Sequence, residues 1–181
     1  MRVEIVTIEL DEHYYQWLKS ARGERGTMSE VVMVLPRPGG RVLTLTKSFY
    51  PQGTYNLPSG GIEPGETPET AFTREVAEET GLDVVLRSEI GRIERHCTFG
   101  DSSLDFTSHV MLGSESDTPA RPRDADESIS EYVDASPADL RRFSEHMQNL
   151  TGSWAGFGRF RAVALDFVAD ALADSPALLS N

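Results

Sequence analysis

Polar and apolar residues alternate from Arg2 to Leu10, and the β-branched content of that run predicts a strand. Asp11 can cap a short helix carrying Tyr14, Tyr15, Trp17 and Leu18, with Gly23 and Gly26 as its stop. Glu30–Leu35 and Arg41–Ser48 read as strands joined by a tight turn at Pro36–Gly40. A long loop containing Gly and Pro runs from Phe49 to Thr67. The period then changes to that of a helix. Thr67 offers a hydroxyl N-cap, Pro68 suits the first helical position, and Gly81 suits a left-handed stop. A helix is therefore expected over Pro68–Thr80.

Further strands are predicted at Asp83–Leu86, Ile90–Cys97 and Leu104–Leu112. Gly113–Ser128, rich in Ser, Pro, Asp and Arg, reads as an exposed, mobile loop. After a short extended piece at Ile129–Val133, Ser136-Pro137 starts a helix, and a last helix is expected over Trp154–Leu172. Strands flanking a central helix, with helices at the end, predict an α/β (α+β) sandwich. Residues 1–181 read as one domain, with a core over about 28–140 and terminal additions of strand–helix and helix.

Composition narrows the function without naming it. The chain of 181 residues is 39% hydrophobic and 25% charged, an ordinary globular balance. No apolar run reaches the roughly eighteen residues of a membrane span, and no secretory signal follows Met1. The single cysteine, Cys97, allows no internal disulfide and has no zinc spacing. It reads as a half-buried strand thiol, and a reducing cytoplasm fits. The net charge of −12 argues against a bare nucleic-acid backbone as partner. It equally opposes a phosphate substrate, unless metal ions on carboxylates reverse the field locally.

Residues 60–82 carry such carboxylates. A Gly-rich loop feeds a helix whose second half holds Glu75, Glu78 and Glu79. At roughly 100° per residue these three share an arc of about 100° on one face. Like charges at that spacing cost roughly 0.2–0.5 kcal/mol per pair. Arg74 can reach Glu78 one turn away, but one cation cannot balance three anions. A hard divalent cation with oxygen ligands can. On charge alone, a solvated acidic helix face is the alternative.

The full pattern resembles the Nudix family, whose signature is G-x5-E-x7-R-E-U-x-E-E-x-G-U with U a bulky aliphatic residue. Gly60, Glu66, Arg74, Glu75, Val76, Glu78, Glu79, Gly81 and Leu82 fill every specified position. The resemblance implies an α/β/α sandwich with a mixed sheet and a loop–helix–loop motif. It also implies Mg²⁺-dependent hydrolysis, with Mn²⁺ as a substitute, of a diphosphate linkage in a nucleoside diphosphate derivative. By the same resemblance Glu75, Glu78 and Glu79 hold the metal, Arg74 orients a carboxylate, Glu66 supports the loop, and the Ser59 carbonyl joins the metal. Many members have Gly-Gly after the proline, so Pro58-Ser59-Gly60 is a departure. Ile129-Ser130-Glu131 resembles a stretch that often supplies one more metal-site glutamate. Glu131 is thus expected as ligand or general base, in preference to Glu127, with Glu75 a third candidate base.

Clues to the substrate are fewer. Lys47, Arg92, Arg95 and His96 could touch phosphates, but read as solvated strand residues. Phe99 lies where some dinucleoside-polyphosphate members carry a tyrosine and could stack on a base. His13, His109 and His146 stand isolated. Trp17, Trp154, Phe157 and Phe160 suit either a homodimer contact or packing on the chain's own sheet. Two rival functions share the motif. One is a nucleoside-triphosphate sanitising pyrophosphatase, which differs in its base pocket. The other is a non-catalytic ligand sensor, against which the intact carboxylates and the lack of a basic recognition helix both weigh.

Overall fold

The alternation at the start of the chain becomes β1 (Arg2–Glu9), and the aromatic segment after Asp11 becomes α1 (Glu12–Arg25). A computed structural model describes residues 1–25 and 28–179. Helix α1 runs through Gly23 to Arg25, while Gly26, expected as its stop, lies outside the described residues. Strands β2 (Ser29–Val34), β3 (Pro36–Arg37) and β4 (Arg41–Lys47) follow, then a short β5 (Ser59–Gly61).

Two sheets result. The larger is mixed, in the order β1-β6-β7-β2-β5, where β6 is Leu86–Phe99 and β7 is Ser102–Gly113. Strand β1 runs parallel to β6, and β2 runs parallel to β7. The smaller sheet is antiparallel, β3-β4-β8, with β8 at Ile129–Ala135. Alternation along β2 feeds two cores. Val31 and Met33 join Phe72 and Val76 on one side, while Val32 and Val34 join Phe160, Leu165 and Val168 on the other. Burial on both faces is why β2 reads as an unbroken apolar run.

Three expectations are corrected. The strand predicted at Asp83–Leu86 does not form; β6 is a single strand starting at Leu86. Register shifts at Leu86/Ser88 and Glu89/Gly91 break its alternation, so its first turns do not read as part of it. The central helix is α2 (Pro68–Glu75) followed by a π-helical turn, Val76–Thr80. Turns of this kind concentrate at functional sites. Finally, the segment between β7 and β8 is tied down rather than free. Arg121 N–H donates to the Thr80 carbonyl at 2.8 Å and Arg123 N–H to the Glu78 carbonyl at 3.0 Å. It caps carbonyls that the end of a helix leaves without partners.

Helices α3 (Pro137–Gln148) and α4 (Ala155–Asp174) complete the chain. Among the described residues no helix is long and apolar enough to cross a membrane.

Candidate active site

The loop and helix of residues 60–82 are organised by Arg74. Its Nε and Nη2 donate to the two oxygens of Glu66 at 3.0 and 2.9 Å, a bidentate clamp. Nη2 also donates to the Gly61 carbonyl at 2.9 Å, fixing the strand that enters the loop. Nη1 reaches Glu75 at 2.6 Å and Glu78 at 3.2 Å. The guanidinium beside Glu66 holds that carboxyl below the usual carboxylate range. The Arg74 and Glu66 positions implied by the resemblance thus meet in one network.

Glu75 lies buried over Gly60, where a Cβ would overlap its carboxyl group. Burial raises the Glu75 carboxyl above its ordinary value, with Arg74 opposing. Glu79 is 2% exposed. One of its oxygens accepts from Ser59 N–H at 3.0 Å, and the other lies 3.4 Å from Lys47 Nζ. Burial pushes its carboxyl up to about 8, Lys47 opposing and Glu127 and Glu75 reinforcing the shift. The Tyr132 hydroxyl donates to the Glu79 backbone carbonyl.

Lys47 departs from its reading as a solvated residue. It bridges Glu79 and Glu127, the latter at 2.8 Å. Burial lowers its ammonium pKa, but the two carboxylates outweigh that and leave it raised. Glu127 occupies a 3₁₀ turn just before Ser128, whose φ of 56° redirects the chain into β8.

Glu131 falls elsewhere. It pairs with Thr46 across β4–β8 and accepts from the Tyr55 hydroxyl, an exposed contact. Residues paired across strands share a face. Glu131 therefore takes the side of Thr46, whereas Lys47, the next residue, faces the carboxylates. Tyr132, on the other side of β8, is the residue that meets the box. Glu127 lines the cavity beside the carboxylates and Glu131 does not.

Other sequence candidates are also relocated. Arg95 is 1% exposed and stacks over Phe160 at 4.3 Å, so it is a core residue. Phe99 packs against Tyr15 at 5.8 Å and does not line the cavity. Cys97 is fully buried, and burial pushes its thiol up to about 11. His109 sits 2.9 Å from Glu89 and His146 3.2 Å from Thr54, whereas His13 lines the cavity.

The cavity measures about 560 Å³. One end holds Glu75, Glu78, Glu79, Glu127, Lys47 and Arg74. The other is built from α1, the residues after β4, and the start of α4. Sequence reading missed this end because its side chains come from opposite termini. Among the described residues no three acidic or imidazole side chains converge as a finished metal cage. Arg74 and Lys47 hold the carboxylates instead. The donors are nonetheless all oxygen, and Glu75 and Glu79 are buried without full compensation of their charge. That chemistry fits a hard divalent cation.

The NUDIX domain family profile matches residues 26–151. The chain belongs to the Nudix family. It is 37% identical over 85 residues to mouse "NAD(P)H pyrophosphatase NUDT13, mitochondrial", covering 47% of this chain and 24% of that protein. It is 40% identical over 76 residues to a "MutT-like protein" of Streptomyces ambofaciens, covering 42% and 47%. The chain thus spans about a quarter to a half of these relatives. The E. coli dihydroneopterin triphosphate pyrophosphohydrolase shares the fold, with a TM-score of 0.54 at 18% identity over 80% of this chain and 97% of that one.

Proposed function

We propose that the chain is a pyrophosphohydrolase that cuts a diphosphate linkage in a nucleoside diphosphate derivative, using Mg²⁺ or Mn²⁺. The observation that carries this reading is the pair of buried carboxylates, Glu75 and Glu79, set beside Arg74 at one end of a large cavity. Glu75, Glu78, Glu79 and the Ser59 carbonyl would hold the metal. Glu127, rather than Glu131, is the carboxylate placed to join them. Bound there, the metal would neutralise the diphosphate and lower the pKa of a water.

The protein's residues supply position and proton traffic. Arg74 holds Glu75 and Glu78 on the cavity side, and Ser59 N–H fixes the Glu79 carboxylate. Glu127, held by Lys47, is the base that accepts a proton from the attacking water. The name of the mouse relative supports cleavage of a dinucleotide-type diphosphate. We extend the functional unit to residues 1–181, because α1 and α4 wall the cavity that the box opens into.

Release of nucleotide from a panel of nucleoside diphosphate derivatives, with Mg²⁺ and with chelator, tests this reading. Turnover should need the metal, and Glu79→Gln should lower kcat by orders of magnitude while the fold persists. Glu127→Gln should be crippled and Glu131→Gln nearly normal. Wild-type turnover by Glu79→Gln would remove the metal-site reading, and the opposite order for Glu127 and Glu131 would restore Glu131.

A further inference from the structure

The end of the cavity away from the box is walled by aromatic rings. Trp17 comes from α1, Phe49 and Tyr50 follow β4, and Trp154 and Phe157 come from the entry into α4. Most of these rings engage one another. Tyr14 stacks on Trp17 at 5.3 Å, Tyr50 meets Phe157 at 5.1 Å, and Trp154 meets Phe157 at 5.3 Å. Two of them also keep open faces, since Trp17 is 49% and Phe49 58% exposed. Phe49 lies nearly parallel to Trp154, at 6.5 Å and 25°.

Polar groups in this cavity lack partners. The Asn56 side chain, 4% exposed, lines the cavity and makes no hydrogen bond among the described residues. The Tyr14 hydroxyl and Arg161 Nε are also buried without partners among those residues. Arg161 is otherwise held by Glu30 at 2.7 Å and by Ser59 Oγ at 3.1 Å, which ties the aromatic end to the box. Trp17, Trp154, Phe157 and Arg161 all lie outside the residues that the family profile matches, 26–151. The terminal elements therefore add a feature of this chain's own.

The geometry points to a subsite for a planar heteroaromatic ring, the nucleobase of the substrate, stacked on Trp17 and Phe49 with its edge toward Asn56. Flat aromatic faces favour offset stacking on another ring, and a carboxamide can both donate to and accept from a base edge. The inference rests on the pyrophosphohydrolase reading for the identity of the ring, but not for the existence of the subsite.

Trp17 and Trp154 are the only tryptophans in the chain, and both line the cavity. Intrinsic tryptophan fluorescence therefore reports occupancy without turnover. The probes are AMP and CMP, with ribose 5-phosphate as the ringless control, titrated in chelator. The expected result is a saturable change with the nucleotides and none with ribose 5-phosphate. Phe49→Ala should weaken AMP binding about tenfold. Phe49→Tyr should restore it, and far-UV circular dichroism should match wild type in both. Equal responses to AMP and ribose 5-phosphate, or unchanged AMP affinity in Phe49→Ala, would overturn the proposal. The two readings fail separately. Nucleotide binding without any hydrolysis sinks the enzyme reading alone. Metal-dependent hydrolysis with no ring-specific fluorescence change, and with KM unaltered in Phe49→Ala, sinks the subsite alone.

Discussion

At the scale of single residues, Gly60 is where backbone and chemistry come closest. Its φ is not in the left-handed region, so alanine is permitted by the backbone. The obstacle is the Glu75 carboxyl, which occupies the place of the missing Cβ. Gly60→Ala should leave the fold intact, because Gly60 pairs with Val31 through backbone groups alone. It should displace the Glu75 carboxylate and lower kcat about 100-fold, the scale of loss for a displacement near 1 Å. Circular dichroism and steady-state kinetics on one preparation check this; normal turnover would mean that Glu75 is not needed where it stands. The residues that meet around Arg74 were legible because their spacing lies within one loop and helix. Lys47 and Glu127 were not. Their meeting depends on the register of β4 against β8, including the irregularity between Thr46 and Lys47, and no local pattern encodes that. Arg95 was misplaced for a related reason: an arginine among strand residues reads as exposed unless its ring partner, Phe160, is known.

Among the elements, α3 shows how a local signal sets both a boundary and a pH response. Ser136 accepts from Asp139 N–H at 3.2 Å, and Asp139 accepts from Ser136 N–H at 2.9 Å, a reciprocal capping box. Hydrogen bonds from Ser136, then Arg142, hold the Asp139 carboxyl below its usual value. A carboxylate with a depressed folded pKa stabilises above its unfolded pKa, and that contribution is lost as pH falls through the folded value. Asp139→Asn should therefore lower Tm at neutral pH, with a loss on the order of 1 kcal/mol for a weakened cap. The gap to wild type should narrow near pH 3, below the unfolded carboxylate value of about 3.9. A gap of constant size across that range would assign the effect to packing instead. Ser136-Pro137 and Thr67-Pro68 made both helix starts readable, since cap and proline are adjacent in sequence. The π turn at Val76–Thr80 left no such mark. It is accompanied by tertiary bonds, from the Tyr132 hydroxyl to the Glu79 carbonyl and from Arg121 N–H to the Thr80 carbonyl.

For the molecule as a whole, the site sets stability against function. The chain carries a net charge of −12, and buries Glu75 and Glu79 at one end of its cavity with only Arg74 and Lys47 close by. A buried carboxylate without full compensation costs free energy, and a divalent cation at the site would return it. Metal that binds the native state alone at 100 times Kd contributes about 2.7 kcal/mol. Mg²⁺ should therefore raise Tm relative to chelator in the wild-type chain. Glu79→Gln separates the two sides of the balance. The amide can still accept from Ser59 N–H, and Lys47 keeps Glu127 as its partner, so the buried charge disappears at little structural cost. In chelator at neutral pH this variant should melt above wild type. In Mg²⁺ most of that advantage should vanish, because a ligand has been lost. Paired melting curves for both chains, with and without Mg²⁺, decide the matter. If Glu79→Gln gains as much from Mg²⁺ as wild type does, the metal binds elsewhere, and if it melts lower in chelator, the buried carboxylate is a structural asset rather than a cost carried for function.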